Sequence, residues 1–306
     1  MITARPPLGL IAGPTASGKS ALALEWARRT GGVIINADSA QLYRDLSILS
    51  AAPSATDLTA AEHRLYGVRD GAASCSAAEW AAMARSAIAD VHASARLPIL
   101  VGGTGLYLRT LLDGIAPVPK IDPAVREEVR GRSVEANRAE LLRLDPDSAA
   151  RLNPGDTTRI ARALEVVRST GRSLTAWQQQ CEGGIGERVQ LRPLILLPPR
   201  PWLYQRCDQR FATMINQGAV AEVRRLLARA LDPNLPVMRA IGVAEIAGGG
   251  DLQAIIALGQ QSTRRYAKRQ YTWFANQPPP EWSRFAEPLD AAGATDRALA
   301  LLERQR

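Results

Sequence analysis

The sequence predicts an α/β chain: a P-loop-type parallel sheet flanked by helices, with an all-helical segment inserted into it. Three observations lead there. Short apolar runs alternate with helical patterns over the first third of the chain, and a glycine-rich loop separates the first run from the first helix. Near residue 118 the apolar runs give way to charged amphipathic segments, and they resume near residue 191.

The first run, Pro7-Leu8-Gly9-Leu10-Ile11-Ala12, has the length and flanks of a buried parallel strand. Next comes Gly13-Pro14-Thr15-Ala16-Ser17-Gly18-Lys19-Ser20, which fits G-x-x-x-x-G-K-[ST]. Only three of the 38 basic residues are lysines, and from residue frequencies a chance match has odds on the order of a few in a thousand. A helix from Ser20 to Arg29 follows, ending at Gly31-Gly32. Strand, glycine loop and helix in this order form an anion nest. Backbone N–H groups turn inward, the helix N-terminus adds its positive end, Lys19 spans adjacent phosphates, and the Ser20 hydroxyl can hold Mg²⁺. The loop by itself leaves open whether the phosphates are fuel, as in ATP, or substrate, or leaving group.

Val33-Ile34-Ile35-Asn36-Ala37-Asp38 reads as a second strand ending in an acid, and Pro98-Ile99-Leu100-Val101-Gly102-Gly103 as a third. The Ala-rich stretch between them, Ala77 to Ala95, is helical in pattern. Such alternation implies right-handed parallel crossovers, with the ligand at the carboxyl ends of the strands. Asp38, the glycine loop and Gly102-Gly103-Thr104-Gly105 all fall there. A carboxylate in that place can hold Mg²⁺, take a proton from a nucleophile, or cap the helix that follows. The third strand offers a hydroxyl where a motor ATPase carries an acid, and no guanine-recognition signature is present, so both classes are disfavoured.

From Pro117 to Pro123 the chain reads as a linker, and residues 118–190 as an inserted helical domain between residues 1–117 and 191–306 of the sheet-bearing core. Leu191 to Pro198 resumes the strand pattern. Helices are expected from Tyr204 to Asn216, Val220 to Ala230 and Leu252 to Asn276, the last closed by Pro278-Pro279-Pro280.

The chain is 46% hydrophobic and 22% charged, with no apolar run of membrane length. Met1 to Pro7 carries no apolar leader, so a cytoplasmic protein without a membrane partner is expected, acting as a monomer. Cys75, Cys181 and Cys207 are odd in number and far apart, and only His63 and His92 could join them, which supports neither a disulfide framework nor a zinc site. The net charge of +8 points to an anionic partner. Residues 191–306 hold most of the excess, with sixteen basic and ten acidic side chains.

Six segments carry a resemblance. The GPTASGKS loop, Asp38 to Arg44, Pro98 to Leu112, Thr157 to Val166, Arg206 to Phe211 and Thr263 to Phe274, in that order, resemble the tRNA dimethylallyltransferase family. The resemblance implies transfer of the dimethylallyl group of dimethylallyl diphosphate to the exocyclic N6 amine of the adenosine 3′-adjacent to the anticodon, releasing diphosphate. It implies that Gly13 to Ser20 grip the diphosphate with Mg²⁺ on Ser20, and that Asp38 is the base. It places Thr104 and Arg210 at the reacting centre. Asp38, Ser39, Ala40, Gln41, Thr104, Arg126, Thr158, Arg159, Ile160, Ala161 and Arg162 would meet the tRNA anticodon stem-loop. Arg264, Arg265, Lys268 and Arg269 fall on one side of the last long helix, as a phosphate grip requires. Ala52 before Pro53 and Val243-Ala244 after Gly242 depart from the family pattern. A P-loop kinase of a small metabolite or nucleoside, and a nucleotide-gated RNA-binding protein without chemistry, are the other readings of the same residues.

Overall fold

The computed structural model describes residues 5–304. Met1 to Pro7, expected to carry no leader, lies partly outside them. The described chain divides into two compact units, one running up to Leu111 and resuming at Ile185, the other spanning Leu112–Gly184.

The first unit is built on six strands: β1 (Pro7–Ala12), β2 (Val33–Asn36), β3 (Glu62–Arg64), β4 (Pro98–Gly102), β5 (Gln190–Leu196) and β6 (Ser283–Phe285). They lie in the order β3-β2-β4-β1-β5-β6, and every pairing is parallel. Leu10 pairs with Leu100 on one side and Pro193 on the other, so the three apolar runs form the sheet's buried centre. Both of their faces are covered, which is why they read as unbroken apolar runs rather than as alternating ones.

Helix Lys19–Thr30 lays Leu22, Ala23 and Trp26 on the sheet beside Ile11, Ile34, Ile99 and Leu194. Helix Ala77–Ala93 buries Trp80, whose indole N–H donates to the Asn36 carbonyl at 3.0 Å and whose ring stacks on Tyr107 at 4.6 Å. Trp26 and Trp80 are 1% and 0% exposed, and burying either indole stabilises the unit by on the order of 4 kcal/mol.

Several expectations shift. β2 stops at Asn36, two residues before the acid, because the Asn36 side chain turns the chain: its Oδ1 accepts from Asp38 N–H and its Nδ2 donates to the carbonyls of Asp38 and Leu65. The helix expected from Tyr204 begins at Arg200, with Pro201 in its first turn, where a missing N–H costs nothing. Helix Leu252–Asn276 has the expected ends but is not the last, since Ala294–Glu303 follows and adds Leu299 and Leu302 to the core around Trp26. β3 and β6 are three residues each and sit at the two sheet edges, too short for a periodicity signal.

The second unit is all helical: Pro123–Gly131, Val134–Leu144, Pro146–Arg151, Thr157–Thr170 and Leu174–Gln178. Asp122, Ser133, Asp145, Asp156 and Ser173 each accept a backbone N–H at the start of one of them, a set of caps worth about 1 kcal/mol apiece. Val129, Leu141, Ile160 and Leu164 form its core. The stretch expected as a linker ends where Pro123 opens a helix, and the backbones of Ile115 and Glu182 bond reciprocally at 3.0 Å at the neck of the unit.

Gly102 ends β4 where an added Cβ would lie 2.1 Å from the Ala37 carbonyl oxygen, a backbone atom with no room to yield. Gly102→Ala is predicted to destabilise the protein by about 3 kcal/mol or more in urea titration. Gly131→Ala, with nothing within 4 Å, should stay within about 0.5 kcal/mol of wild type. A mild Gly102→Ala would show that the strand ends can separate.

Candidate active site

The glycine loop owes its shape to residues that enter the left-handed region, Gly18 at φ 95° and Ala16 at φ 63°. Gly18 occupies the helix N-cap without a capping side chain, leaving the first N–H groups to an anion. The loop is also held from outside. Gln270 on helix Leu252–Asn276 accepts from Thr15 N–H at 2.8 Å and donates to the Gly103 carbonyl at 2.9 Å, tying loop and third-strand end together. Arg206 donates to the Ala16 carbonyl at 3.2 Å. Lys19 is 9% exposed and donates to the Pro14 carbonyl at 2.7 Å.

Asp38 follows the Asn36 turn. Its Oδ1 accepts from Ala40 N–H at 3.0 Å in a local side-chain turn, the short helix Ala40–Leu42 having Ser39 rather than Asp38 at its N-cap, and Oδ2 has no hydrogen-bond partner among the described residues. Ser39 N–H donates to Thr104 Oγ1 at 3.0 Å, and Thr104 N–H donates to the Ala37 carbonyl at 3.2 Å. Gln41 donates to the carbonyls of Ser50 and Ala51 at 3.1 and 2.8 Å. Arg210, from helix Arg200–Asn216, lies 3.5 Å from the Ser50 carbonyl.

These groups surround one cavity of about 340 Å³, lined by Thr15, Lys19, Ser20, Asp38, Ser39, Ala40, Gln41 and Arg210 together with Tyr43, Tyr107, Arg239, Tyr266 and Arg269. Thr104 does not line it and acts on Ser39 instead. Burial pulls the Lys19 ammonium down to about 8, against the attraction of Asp38, and the Arg210 charge adds to the lowering. Burial also lowers Arg210, again opposed by Asp38; a guanidinium keeps its proton nonetheless. Tyr107 and Tyr266 are raised, chiefly by burial, and further by Cys75 and Tyr43 in the first and by Asp38 in the second, so both remain hydroxyl donors. Four cations, one carboxylate and three phenols thus line one cavity, with Lys19 buried at its base.

Ser20 and Asp38 put oxygen donors on that cavity, whereas no group of three or more His, Cys, Asp or Glu suited to a metal occurs among the described residues. That donor set suits Mg²⁺, which takes one or two protein oxygens and fills its remaining positions from phosphate and water.

The sequence pattern misses Tyr107, Tyr266 and Gln270 as site residues. Period-3.6 spacing places them on helices but does not say which helix faces the cavity. Of the four basic residues on the last long helix, Arg264 pairs with Asp208, Arg269 lines the cavity and contacts the Tyr266 ring, and Arg265 and Lys268 are exposed. They do not form one uniform solvent-facing grip. In the helical unit, Ile160 and Ala161 are 0% and 8% exposed and belong to its core, so neither side chain can meet a ligand. Arg126, Arg162 and Arg130 all point at Glu165, at 3.9, 3.7 and 2.8 Å. Thr158 and Arg159 are exposed in the first turn behind Asp156.

The IPP transferase family matches residues 41–277 of the chain. The chain belongs to that family. A tRNA dimethylallyltransferase of Erythrobacter litoralis is 59% identical over 289 residues, covering 92% of this chain and 91% of the relative. One from Sphingopyxis alaskensis is 56% identical over 301 residues, covering 97% and 98%. Among solved structures, the full-length tRNA isopentenylpyrophosphate transferase of Bacillus halodurans aligns with a TM-score of 0.70 at 30% identity, over 98% of both chains. A eukaryotic dimethylallyltransferase acting on tRNA aligns with a TM-score of 0.85 at 25% identity, over 97% of this chain and 78% of that one. For this IPP transferase family member, as the sequence resemblance implied, the phosphate loop opens a prenyltransferase fold rather than a motor ATPase.

Lys19 makes the site's anion affinity pH-dependent. Its lowered value means that the ammonium is intact below about pH 8 and is lost as pH rises through it. Inorganic diphosphate affinity, measured by calorimetry relative to Lys19→Met to cancel the ligand's own titration, should fall about tenfold from about pH 7 to about pH 9. A flat ratio would remove Lys19 from diphosphate binding.

Proposed function

We propose that this protein transfers the dimethylallyl group from dimethylallyl diphosphate to N6 of the adenosine 3′-adjacent to the anticodon of tRNA, as a cytoplasmic monomer. Family membership supports the reaction class. The observation that carries the mechanism is a single cavity in which Asp38, with one carboxylate oxygen uncommitted, shares space with Lys19, Arg210 and the glycine loop. No described helix is long and apolar enough to cross a membrane.

An adenine amine is a poor nucleophile because its lone pair is delocalised into the ring. Removing a proton from N6 as the bond to C1 of the allyl group forms makes attack feasible, and Asp38 is the base for that proton. Such catalysis is worth about 10² to 10⁴ in rate. As N6 bonds to C1, the C1–O bond breaks and its electron pair leaves with diphosphate. Lys19, Arg210 and the loop N–H groups stabilise that growing charge, and the burial of Lys19 makes its share count for more than in water. The Ser20 hydroxyl would hold Mg²⁺, which when bound would supply further charge neutralisation for the leaving group.

The target base must leave its stack to reach Asp38; a loop nucleotide is cheaper to extract than a paired one. Ser39, Ala40 and Gln41 border the cavity beside Asp38 and would meet the base. Thr104 supports them through Ser39. Arg126, Thr158, Arg159 and Arg162 would grip tRNA phosphates, with Ile160 and Ala161 holding the helix beneath them.

Asp38→Asn is predicted to lower kcat by about 10² to 10⁴ while leaving inorganic diphosphate affinity within about twofold. The assay is mass spectrometry of tRNA nucleosides after incubation with dimethylallyl diphosphate and Mg²⁺. No prenylated adenosine from the wild-type protein, together with ATP-dependent phosphorylation of a metabolite, would turn the reading to a kinase. Replacing Arg159 and Arg162 by Ala should weaken tRNA binding and reduce the slope of log affinity against log salt by about 2, with donor KM unchanged. An unaltered salt slope would make both arginines structural.

A further inference from the structure

Glu222 is 3% exposed on helix Ala219–Leu227, with no cation among its hydrogen-bond or ion-pair partners among the described residues. Its carboxylate is instead committed to a different segment of the chain. Oε1 accepts from Ile48 N–H at 2.8 Å and from Ser47 Oγ at 3.1 Å, and Oε2 accepts from Leu49 N–H at 3.0 Å. A buried carboxylate is expensive unless its lone pairs are used, and here three donors from three consecutive residues use them. Arg229, just beyond the same helix, pairs with Asp45 at the start of that segment. The segment is therefore pinned at two points, by Glu222 on the helix and by Arg229 two residues past its end.

Its free edge faces the reaction. The Ser50 carbonyl, one residue past the clamp, accepts from Gln41 Nε2 at 3.1 Å and lies 3.5 Å from Arg210 Nη2. Leu46, Leu49 and Ser50 line the cavity. On the far side Leu49 is confined, since a Cβ added at Gly242 would lie 2.7 Å from it. A shift of the Ser47–Ser50 backbone would thus move the Ser50 carbonyl against both Arg210 and Gln41.

We propose that Glu222 is a positioning residue for the reacting centre: it holds Ser47, Ile48 and Leu49 so that the Ser50 carbonyl aims the Arg210 guanidinium at the diphosphate and Gln41 at the base. The inference rests on the reading of Arg210 as a diphosphate ligand. It makes the affinity for the leaving group depend on a carboxylate that never touches it.

The test is a double-mutant cycle on the full chain with Glu222→Gln and Arg210→Lys, reading inorganic diphosphate affinity by calorimetry and donor KM against kcat. Circular dichroism and thermal melting monitor the fold. Glu222→Gln keeps the volume but replaces one acceptor oxygen with an amide that opposes the loop's donors. It should weaken diphosphate binding and raise donor KM by about tenfold, within the range for residues coupled through a shared partner. On the Arg210→Lys background the same change should cost less than about threefold. Equal losses in both backgrounds, or a lowered melting temperature with unchanged diphosphate affinity, would overturn the positioning role. If Arg210→Lys alone leaves diphosphate affinity unaltered, the assignment of Arg210 fails and the inference with it, an outcome distinct from failure at Glu222. Should Glu222→Gln not fold, Ser47→Ala removes one of the three bonds from the loop side. It should then weaken diphosphate binding about threefold on the wild-type background, and no change would count against the clamp.

Discussion

The site depends on how closely the carboxyl ends of β1, β2 and β4 approach one another. Gly102 passes the Ala37 carbonyl with no space for a methyl group, Thr104 N–H donates to that same carbonyl, and Gln270 bridges Gly103 to Thr15 in the phosphate loop. Loop, acid and glycine turn are therefore one hydrogen-bonded body. Asn36 completes it by satisfying Asp38 and Leu65 backbone groups from a fully buried amide. A base and a leaving-group cradle on separate strands need this kind of rigidity, because misplacement by an ångström is costly in a displacement reaction.

The electrostatics follow from that closure. Lys19 is buried and Arg210 half-buried, and both are pulled below their ordinary values by loss of water, with Asp38 as the nearby anion that opposes the effect. With Arg239 and Arg269 also on the cavity, four cations against one carboxylate leave positive charge that a diphosphate can offset. The same low dielectric that makes the unliganded cations costly strengthens their hold on charge developing at a leaving oxygen. Tyr107 and Tyr266, kept protonated chiefly by burial, add hydroxyl groups without adding charge.

The helical unit follows a different logic. Each of its helices begins on an Asp or Ser cap, and its core is small and aliphatic, so it holds its shape by local rules. Its one fully buried charge, Glu165, gathers Arg126, Arg130 and Arg162. Three guanidiniums share a single carboxylate there, which neutralises only part of their charge. The unit's neutral composition, eleven basic against eleven acidic residues over 112–184, therefore understates how the charge is arranged in space.

What could be read from the chain alone was whatever is written locally. The phosphate loop, the apolar runs of β1, β4 and β5, the helices with clear caps and stops, and the resemblance of six ordered segments each depend on neighbours in sequence, and the matching family and fold agree with them. The edge strands Glu62–Arg64 and Ser283–Phe285 escaped because three residues are too few to carry a period, even though Phe285 packs into the core. Asp38 was legible as an acid near a strand end, but the Asn36 turn that sets its direction is a side-chain-to-backbone event and has no pattern. Gln270, Tyr266 and Glu222 became site residues only through packing, since helical spacing says that a residue lies on a face but not what that face meets. Tertiary structure likewise decided that Ile160 and Ala161 belong to a core while Arg159 beside them reaches water, because burial is set by neighbours far along the chain.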